Sequence, residues 1–120
     1  MEQPPSYVLV ATDADGLVVG SAKWGPNRPG RGAHVSTASF MVDPSRQGGG
    51  VGRALAEHVV AAARAAEYDG MQFNAVVETN TGAVALWRSL GFEIVGTVPR
   101  AFDSKSHGKV GLHVMYLSFR

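Results

Sequence analysis

The sequence predicts an α/β (α+β) protein in which a mixed central β-sheet is flanked by helices, in the order β-β-β-α-β-α-β-β. Three observations predict this fold class. Short β-branched runs, separated by clusters of Gly, Pro and Asp, are typical of strands. Apolar residues recur at helical spacing from Val51 to Ala66, and a second, shorter stripe runs from Ala83 to Leu90. A strand, a glycine loop, a helix and a strand follow one another in the middle of the chain, which predicts a parallel, right-handed β-α-β unit.

Turn and stop signals divide the chain into these elements. Asp13 to Gly16 is a turn cluster between two β-branched runs, so the first two strands should form a hairpin. Gly70 follows the first helix and Gly91 ends the second. Pro99 closes the fifth strand, and a polar loop is expected at residues 100–109. The strands are expected at residues 7–11, 17–24, 33–42, 71–77, 92–98 and 110–119.

Composition and charge exclude several classes of function. The 120 residues suffice for one core, so we expect a single domain over residues 1–120. A formal net charge of +1 gives no indication of a nucleic-acid partner. The absence of cysteine excludes disulfides, thiolate metal sites and a cysteine nucleophile. The sequence shows neither a signal peptide nor an apolar run of about 18 residues, so a cytoplasmic location without a membrane partner is expected.

The central motif is a glycine-rich loop between the third strand and the first helix. Four of the five residues 48–52 are glycine, and Arg46 and Arg53 flank the loop. The N–H groups at a helix start are suited to a phosphate or pyrophosphate. The spacing fits neither the dinucleotide loop G-x-G-x-x-G nor the P-loop. What remains is the pattern Gln47-x-x-Gly50-x-Gly52, and a glycine turn without a ligand is the alternative interpretation.

Two segments of the chain resemble motifs of the GCN5-related N-acetyltransferase (GNAT) superfamily. The run from Arg46 to Gly52 resembles motif A, which grips the pyrophosphate of acetyl-CoA. The run from Asn80 to Phe92 resembles motif B, which lines the pantetheine arm. The resemblance implies a short form that lacks the usual N-terminal strand and two helices, with acetyl-CoA as cosubstrate and no metal. The coenzyme-binding residues that it implies are Met41, Val42, Arg46, Gln47, Gly48, Gly49, Gly50, Val51, Gly52, Arg53, Asn80, Ala83 and Trp87.

The same resemblance implies direct transfer, in which an amine attacks the acetyl thioester and coenzyme A leaves as a thiolate. Backbone N–H groups at the end of the third strand, with Phe40 and Met41 foremost, are expected to stabilise the oxyanion. The strands at 33–42 and 71–77 are expected to diverge around the pantetheine arm. His34 and Glu78 are candidates for the base, and Asn74 is a polar residue on the second of these strands. A purely structural role is the alternative for all three.

The chain departs from the family pattern at Trp87. Many family members have a tyrosine at this position, beside the sulfur of the coenzyme. An indole N–H donates a hydrogen bond but is not an acid at neutral pH. Solvent, Tyr116 or another group would then protonate the thiolate, or the chain is a poor catalyst. A simple core position is the alternative for Trp87.

A narrower resemblance covers residues 72–80, which are similar to a fungal subgroup that acetylates azetidine-2-carboxylate and proline-like imino acids. That subgroup is expected to have an asparagine at the position of Thr37, so the resemblance leaves the acceptor open.

Two functions therefore stand. The first is an acyl-CoA-dependent N-acetyltransferase that moves an acetyl group to a primary or secondary amine of a small molecule or amino acid. The alternative is a non-catalytic coenzyme A-binding or dimerising module. The last strand, at 110–119, is apolar on both faces and contains no proline, so we expect it inside a sheet or an interface. A homodimer is the simplest way to bury it.

Overall fold

The computed structural model describes residues 7–28, 30–46 and 49–120. Short 3₁₀ turns lie at Gly30–Gly32 and Pro44–Arg46. The longer elements are β1 (Tyr7–Thr12), β2 (Val18–Pro26), β3 (Val35–Val42), α1 (Val51–Ala65), β4 (Gly70–Val77), α2 (Thr81–Ser89), β5 (Glu93–Ser104) and β6 (Gly108–Ser118). The six strands form one mixed sheet in the order β1-β2-β3-β4-β6-β5. The predicted fold class and element order are confirmed.

The chain divides into two compact units. The first consists of the described residues up to Met71 together with Phe119–Arg120, and the second is Gln72–Ser118. The expectation of a single domain over residues 1–120 stays a prediction.

The first unit is built on three antiparallel strands, in which β1 pairs with β2 and β2 pairs with β3. The turn between β1 and β2 is the predicted one. Its Gly16 has a φ of 82°, a conformation that glycine adopts without strain. The Oδ1 atom of Asp13 accepts hydrogen bonds from the N–H groups of Asp15 and Leu17 at 2.9 and 3.0 Å. These bonds hold the turn and confirm the hairpin.

Helix α1 packs its apolar stripe against the strands of the first unit. A glycine on β2 allows the beginning of the helix to come close. A Cβ atom at Gly20 would lie 2.9 Å from Val51 Cγ1 and 3.0 Å from Leu55 Cδ1. A side chain at Gly20 would therefore force the Val51 and Leu55 side chains to shift at the start of α1. The buried residues of α1 are Leu55, Ala56, Val59 and Ala63.

Strand β4 runs parallel to β3 where both strands begin, as the β-α-β pattern predicted. Val35 pairs with Gly70, and Ser36 pairs with Met71. The Ser36 side chain is fully buried, and its hydroxyl donates a hydrogen bond to the Gly70 carbonyl oxygen at 2.8 Å. Because a buried polar group needs a partner, this bond helps to fix the register of the parallel pair.

The second unit contains the rest of β4 together with α2, β5 and β6. Three aromatic rings pack in its core. The ring centroid of Phe73 on β4 lies 4.6 Å from that of Trp87 on α2 and 4.5 Å from that of Phe92. Met115 on β6 is fully buried. The predicted apolar stripe of α2 therefore contacts the sheet of its own unit through Trp87.

Strand β5 is longer than predicted, and the expectation of a polar loop beginning at residue 100 was wrong. The strand continues to Ser104. The residues around Pro99 lie in a bulge, because the register passes from Val98 opposite Leu112 to Phe102 opposite Val110. Proline cannot donate to a strand ladder, but a bulge on an edge strand accommodates it. The sequence rule that proline ends a strand failed for this reason.

Strand β6 lies between β4 and β5 in the sheet. The strand is thus inside the sheet, one of its two expected environments, with Val110 and Met115 buried. Its half-buried apolar residues are Leu112, Val114, Tyr116 and Leu117. Among the described residues, no helix is long and apolar enough to cross a membrane. The same part of the chain contains no group of three or more His, Cys, Asp or Glu residues that could hold a metal ion.

Candidate active site

The glycine loop leads from the 3₁₀ turn at Pro44–Arg46 into α1. Two of its predicted coenzyme-binding residues, Gln47 and Gly48, lie outside the described residues. Before them, Asp43 Oδ1 accepts hydrogen bonds from the N–H and the hydroxyl of Ser45 at 2.9 and 2.8 Å. These bonds, the backbone one foremost, lower the pKa of Asp43. The turn that enters the loop is therefore held by an ionised carboxylate.

Gly50 is the N-cap residue of α1, and its φ of 87° lies in the left-handed region. No side chain caps the helix at this residue. A Cβ atom at Gly50 would meet no atom within 4 Å, so this position faces open space. Glycine takes this conformation at little cost, whereas a residue with a Cβ atom is strained there.

The start of α1 is arranged to receive an anion. The N–H of Ala54 donates to the Gly50 carbonyl oxygen at 3.0 Å, so the N–H groups of Val51 and Gly52 precede the helical ladder. The helix has 15 residues and no acidic side chain in its first turn. Its dipole adds a partial positive charge at this end. Together these features favour a phosphate or pyrophosphate.

Each of the two arginines beside the loop contacts a carboxylate. Arg46 Nη2 lies 2.8 Å from Asp13 Oδ2, and the two side chains are 43% and 14% exposed. Arg53 Nη1 lies 3.3 Å from Glu57 Oε1, one helical turn along α1. The N–H of Leu17 is the main cause that lowers the pKa of Asp13, and the Arg46 side chain also contributes. The Arg46 contact therefore joins the glycine loop to the turn between β1 and β2.

The end of β3 directs its N–H groups alternately to its two edges. The N–H of Asp43 donates to the Val19 carbonyl oxygen on β2 at 2.9 Å. Because the pairing of β2 with β3 continues without a register shift, the N–H of Met41 also points to β2. The N–H groups of Phe40 and Val42 point to the other edge. Of the two predicted oxyanion donors, Met41 thus directs its N–H to β2, whereas Phe40 directs its N–H to the opposite edge of β3.

His34, one of the two candidates for the base, lies at the other end of β3. It immediately precedes the strand, and its carbonyl oxygen accepts a hydrogen bond from the N–H of Asp69 at 2.8 Å. Six positions separate it from Phe40, which at about 3.3 Å per residue corresponds to about 20 Å along the strand. The structure does not bring His34 and the predicted oxyanion donors together.

Glu78, the other candidate, follows β4 and is fixed by the backbone of β6. Its Oε1 accepts a hydrogen bond from the Gly111 N–H at 2.7 Å, and its own N–H donates to the Gly111 carbonyl oxygen at 3.0 Å. A Cβ atom at Gly111 would lie 3.0 Å from Glu78 Oε2, so this carboxylate depends on a glycine opposite it. Asn74 Oδ1 accepts a hydrogen bond from the Gln72 amide at 2.9 Å. Glu78 and Asn74 are both exposed residues of the second unit.

The remaining predicted coenzyme-binding residues, Asn80, Ala83 and Trp87, lie on helix α2 or at its N-cap. Asn80 is its N-cap residue, and the side-chain oxygen accepts a hydrogen bond from the Ala83 N–H at 3.3 Å. This is a normal capping role. Trp87 is 9% exposed and packs against Phe73, which supports a core position for the indole. Tyr116, one of the alternative acids, is half-buried on β6.

Two residues of the site were not singled out by sequence reasoning, and only Gly20 had a signal for its role. Gly20 lies inside a strand, where glycine often marks a close approach of another element. The sequence pattern assigned Asp13 only to a turn. Its pairing with Arg46 joins residues 33 positions apart, which no local pattern reveals.

Comparison with known proteins decides the family. Residues 1–92 match the model of the acetyltransferase (GNAT) family. The chain belongs to the GNAT family. It is similar to the structure of a GCN5-related N-acetyltransferase from Kribbella flavida, with 55% identity and a TM-score of 0.95, over 99% of this chain and 71% of that one. It is also similar to yncA, a putative acetyltransferase from Salmonella typhimurium solved with acetyl-CoA. That match has 29% identity and a TM-score of 0.83, over 94% and 64% of the two chains.

Two curated acetyltransferases are similar to the chain in sequence. N-acetyltransferase aca1 of Schizosaccharomyces pombe is 30% identical over 96% of this chain and 56% of its own length. L-methionine sulfoximine/L-methionine sulfone acetyltransferase of Pseudomonas aeruginosa is 36% identical over 78% of this chain and 54% of its own. The chain thus spans about half the length of the curated relatives it matches. Acetyl-CoA is the cosubstrate of the family, as the ligand of yncA illustrates.

Proposed function

We propose that this GNAT chain is an acetyl-CoA-dependent N-acetyltransferase whose acceptor is a primary or secondary amine of a small molecule or amino acid. The observation that carries the proposal is the uncapped start of α1 behind Gly50, at a motif A glycine loop. The names of the relatives support the chemistry, since one of them acetylates two amino-acid derivatives.

The coenzyme is proposed to bind by its pyrophosphate at the loop and the helix start. The N–H groups of Val51 and Gly52 supply backbone donors there, and Arg46 supplies positive charge. The other members of this proposed set are Met41, Val42, Gln47, Gly48, Gly49, Gly50, Arg53, Asn80, Ala83 and Trp87. Gln47 and Gly48 are included in this set because of their place in the sequence motif alone.

The transfer is proposed to proceed by direct attack. The amine nitrogen forms a bond to the thioester carbonyl carbon, and the resulting oxyanion is stabilised by backbone N–H groups, with that of Phe40 foremost. The nitrogen of the intermediate then releases a proton to solvent, the C–S bond breaks, and coenzyme A leaves as a thiolate that takes up a proton from solvent. Glu78 is the proposed acceptor of the ammonium proton, because its carboxylate is exposed and held in place by Gly111. The other predicted candidate, His34, lies about 20 Å from Phe40 along β3. Asn74 carries an amide, which does not take up a proton at neutral pH.

A titration with acetyl-CoA, followed by an amine panel with thiol release as readout, tests the function. Glu78→Gln should lower kcat by about 10²- to 10⁴-fold, the usual contribution of a general base, and leave the Kd of acetyl-CoA unchanged. A glutamine can still accept the hydrogen bond from Gly111, so the local fold should persist. Glu93→Gln, at an exposed position on β5, is the matched control.

Each outcome of this test has a distinct meaning. An unchanged kcat in Glu78→Gln would remove Glu78 as the base. Acetyl-CoA binding without thiol release from any amine would favour the alternative, a non-catalytic coenzyme A-binding or dimerising module. The core position of Trp87, where the family resemblance implies a tyrosine in many members, supports this alternative.

We also propose a homodimer. Several large apolar side chains on the edge strand β1 and just after its turn are exposed, among them Val8, Val10 and Val18 at 69%, 52% and 59%. Exposed apolar edges of this kind are commonly covered by a partner. Light scattering at micromolar concentration should give the mass of two chains. A well-folded species with the mass of a single 12.6 kDa chain would contradict the proposal.

A further inference from the structure

The ion pair between Asp13 and Arg46 is the contact of the glycine loop that the proposed function does not explain. Asp13 Oδ2 accepts from Arg46 Nη2 at 2.8 Å, while its other oxygen accepts from the N–H groups of Asp15 and Leu17. With both oxygens engaged and the side chain 14% exposed, Asp13 has little freedom to move. Arg46 is the less buried partner, so the turn between β1 and β2 anchors the arginine.

Arg46 is also tied to the loop through its backbone. Its N–H donates to the Asp43 carbonyl oxygen at 2.8 Å, and its carbonyl oxygen accepts from the Gly49 N–H at 3.2 Å. A Cβ atom at Gly49 would lie 3.2 Å from that same carbonyl oxygen, so Gly49 lies close to the backbone of Arg46. Fixing the Arg46 side chain therefore also restrains its backbone contacts with Asp43 and Gly49.

We propose that Asp13 is a positioning residue for coenzyme binding: through Arg46, it holds the glycine loop in the conformation that receives the pyrophosphate. This inference rests on the proposed function. It extends the binding site to a hairpin turn outside the coenzyme motifs. Preorganisation of this kind raises affinity, because the ordering of the loop does not have to occur on binding.

Asp13 also affects the affinity for acetyl-CoA through its charge. This effect is opposite in direction to the positioning effect, so the experiment must separate the two. The negative charge of Asp13 repels an anionic ligand, so its removal should strengthen binding through long-range electrostatics. Asp15→Asn provides the matched control, because it removes the same charge two residues away and leaves the ion pair in place. The difference in the Kd of acetyl-CoA between Asp13→Asn and Asp15→Asn then isolates the effect of positioning Arg46.

The experiment measures the Kd of acetyl-CoA by calorimetry for these two variants. The side-chain oxygen of an asparagine can still accept the backbone hydrogen bonds of the turn, so Asp13→Asn should fold. We expect it to bind acetyl-CoA about fivefold more weakly than Asp15→Asn, the size of effect that an exposed ion pair supports. Acetyl-pantetheine, which lacks the pyrophosphate, should bind both variants equally well. If Asp13→Asn does not fold, Asp13→Ser replaces it, because a serine hydroxyl can also accept from the turn.

A double-mutant cycle shows whether Asp13 acts through Arg46. In an Arg46→Gln background, Asp13→Asn should cause no further loss of affinity. Equal or tighter binding by Asp13→Asn than by Asp15→Asn would overturn the inference, and so would a loss that persists in the Arg46→Gln background. If the wild-type chain does not bind acetyl-CoA, the proposed function fails as well. If it binds and the two Asp variants are alike, only this inference fails.

Discussion

Gly50→Val should abolish the binding of acetyl-CoA. Two physical effects act together at this residue. The φ of 87° is strained for any residue with a Cβ atom, by about 1–2 kcal/mol, and most of all for a β-branched one. The Cβ position also faces open space at the helix start, where the pyrophosphate is proposed to lie. The branched side chain would occupy that space. Calorimetric titration with acetyl-CoA measures the effect.

A matched control distinguishes backbone strain at residue 50 from steric blocking of the space proposed for the pyrophosphate. Gly108, at the start of β6, has a φ of 70°, and a Cβ atom there would also meet no atom within 4 Å. Gly108→Val should therefore lower stability by a similar amount but leave the Kd of acetyl-CoA unchanged. Unchanged affinity in Gly50→Val would remove the main support for the coenzyme site. Equal losses of affinity in both variants would indicate that strain alone is responsible.

Trp87→Ala should lower the free energy of unfolding by about 3–5 kcal/mol, the usual cost of deleting a large buried aromatic ring. Trp87 is 9% exposed and packs against Phe73, so the substitution leaves a cavity in the core of the second unit. Trp87→Phe keeps most of that packing and should cost about 1–3 kcal/mol. Urea unfolding followed by circular dichroism measures both values.

The same variants test the chemistry of this position. Because an indole does not transfer protons at neutral pH, Trp87→Phe should retain the pH–rate profile of the wild-type chain. Trp87→Tyr should be tolerated and should speed thiol release if a phenol reaches the sulfur. Arg88→Ala, at the next and exposed position of α2, is the control for the helix itself. Loss of one limb of the pH profile in Trp87→Phe would contradict a purely packing role.

Strands, helices and the glycine loop were predictable because their signals are local. The β-branched runs, the Asp-Gly turn at Gly16 and the apolar stripe of α1 each lie within one element. The loop at Gly50 was predictable because a positive φ at a helix start selects glycine in the sequence itself. The length of β5 was not predictable, since the bulge around Pro99 depends on the partner strand β6.

The sequence by itself determined the fold class, the family and the place of the glycine loop. Periodicity, glycine spacing and motif order are properties of neighbouring residues, and these decide which elements form. Only the tertiary structure decided which side chains meet. It paired Arg46 with Asp13, fixed Glu78 on Gly111, placed His34 at the far end of β3 and put Trp87 in a core. Each of these outcomes depends on residues from different elements, and strand pairing and packing, rather than local preference, set their distances.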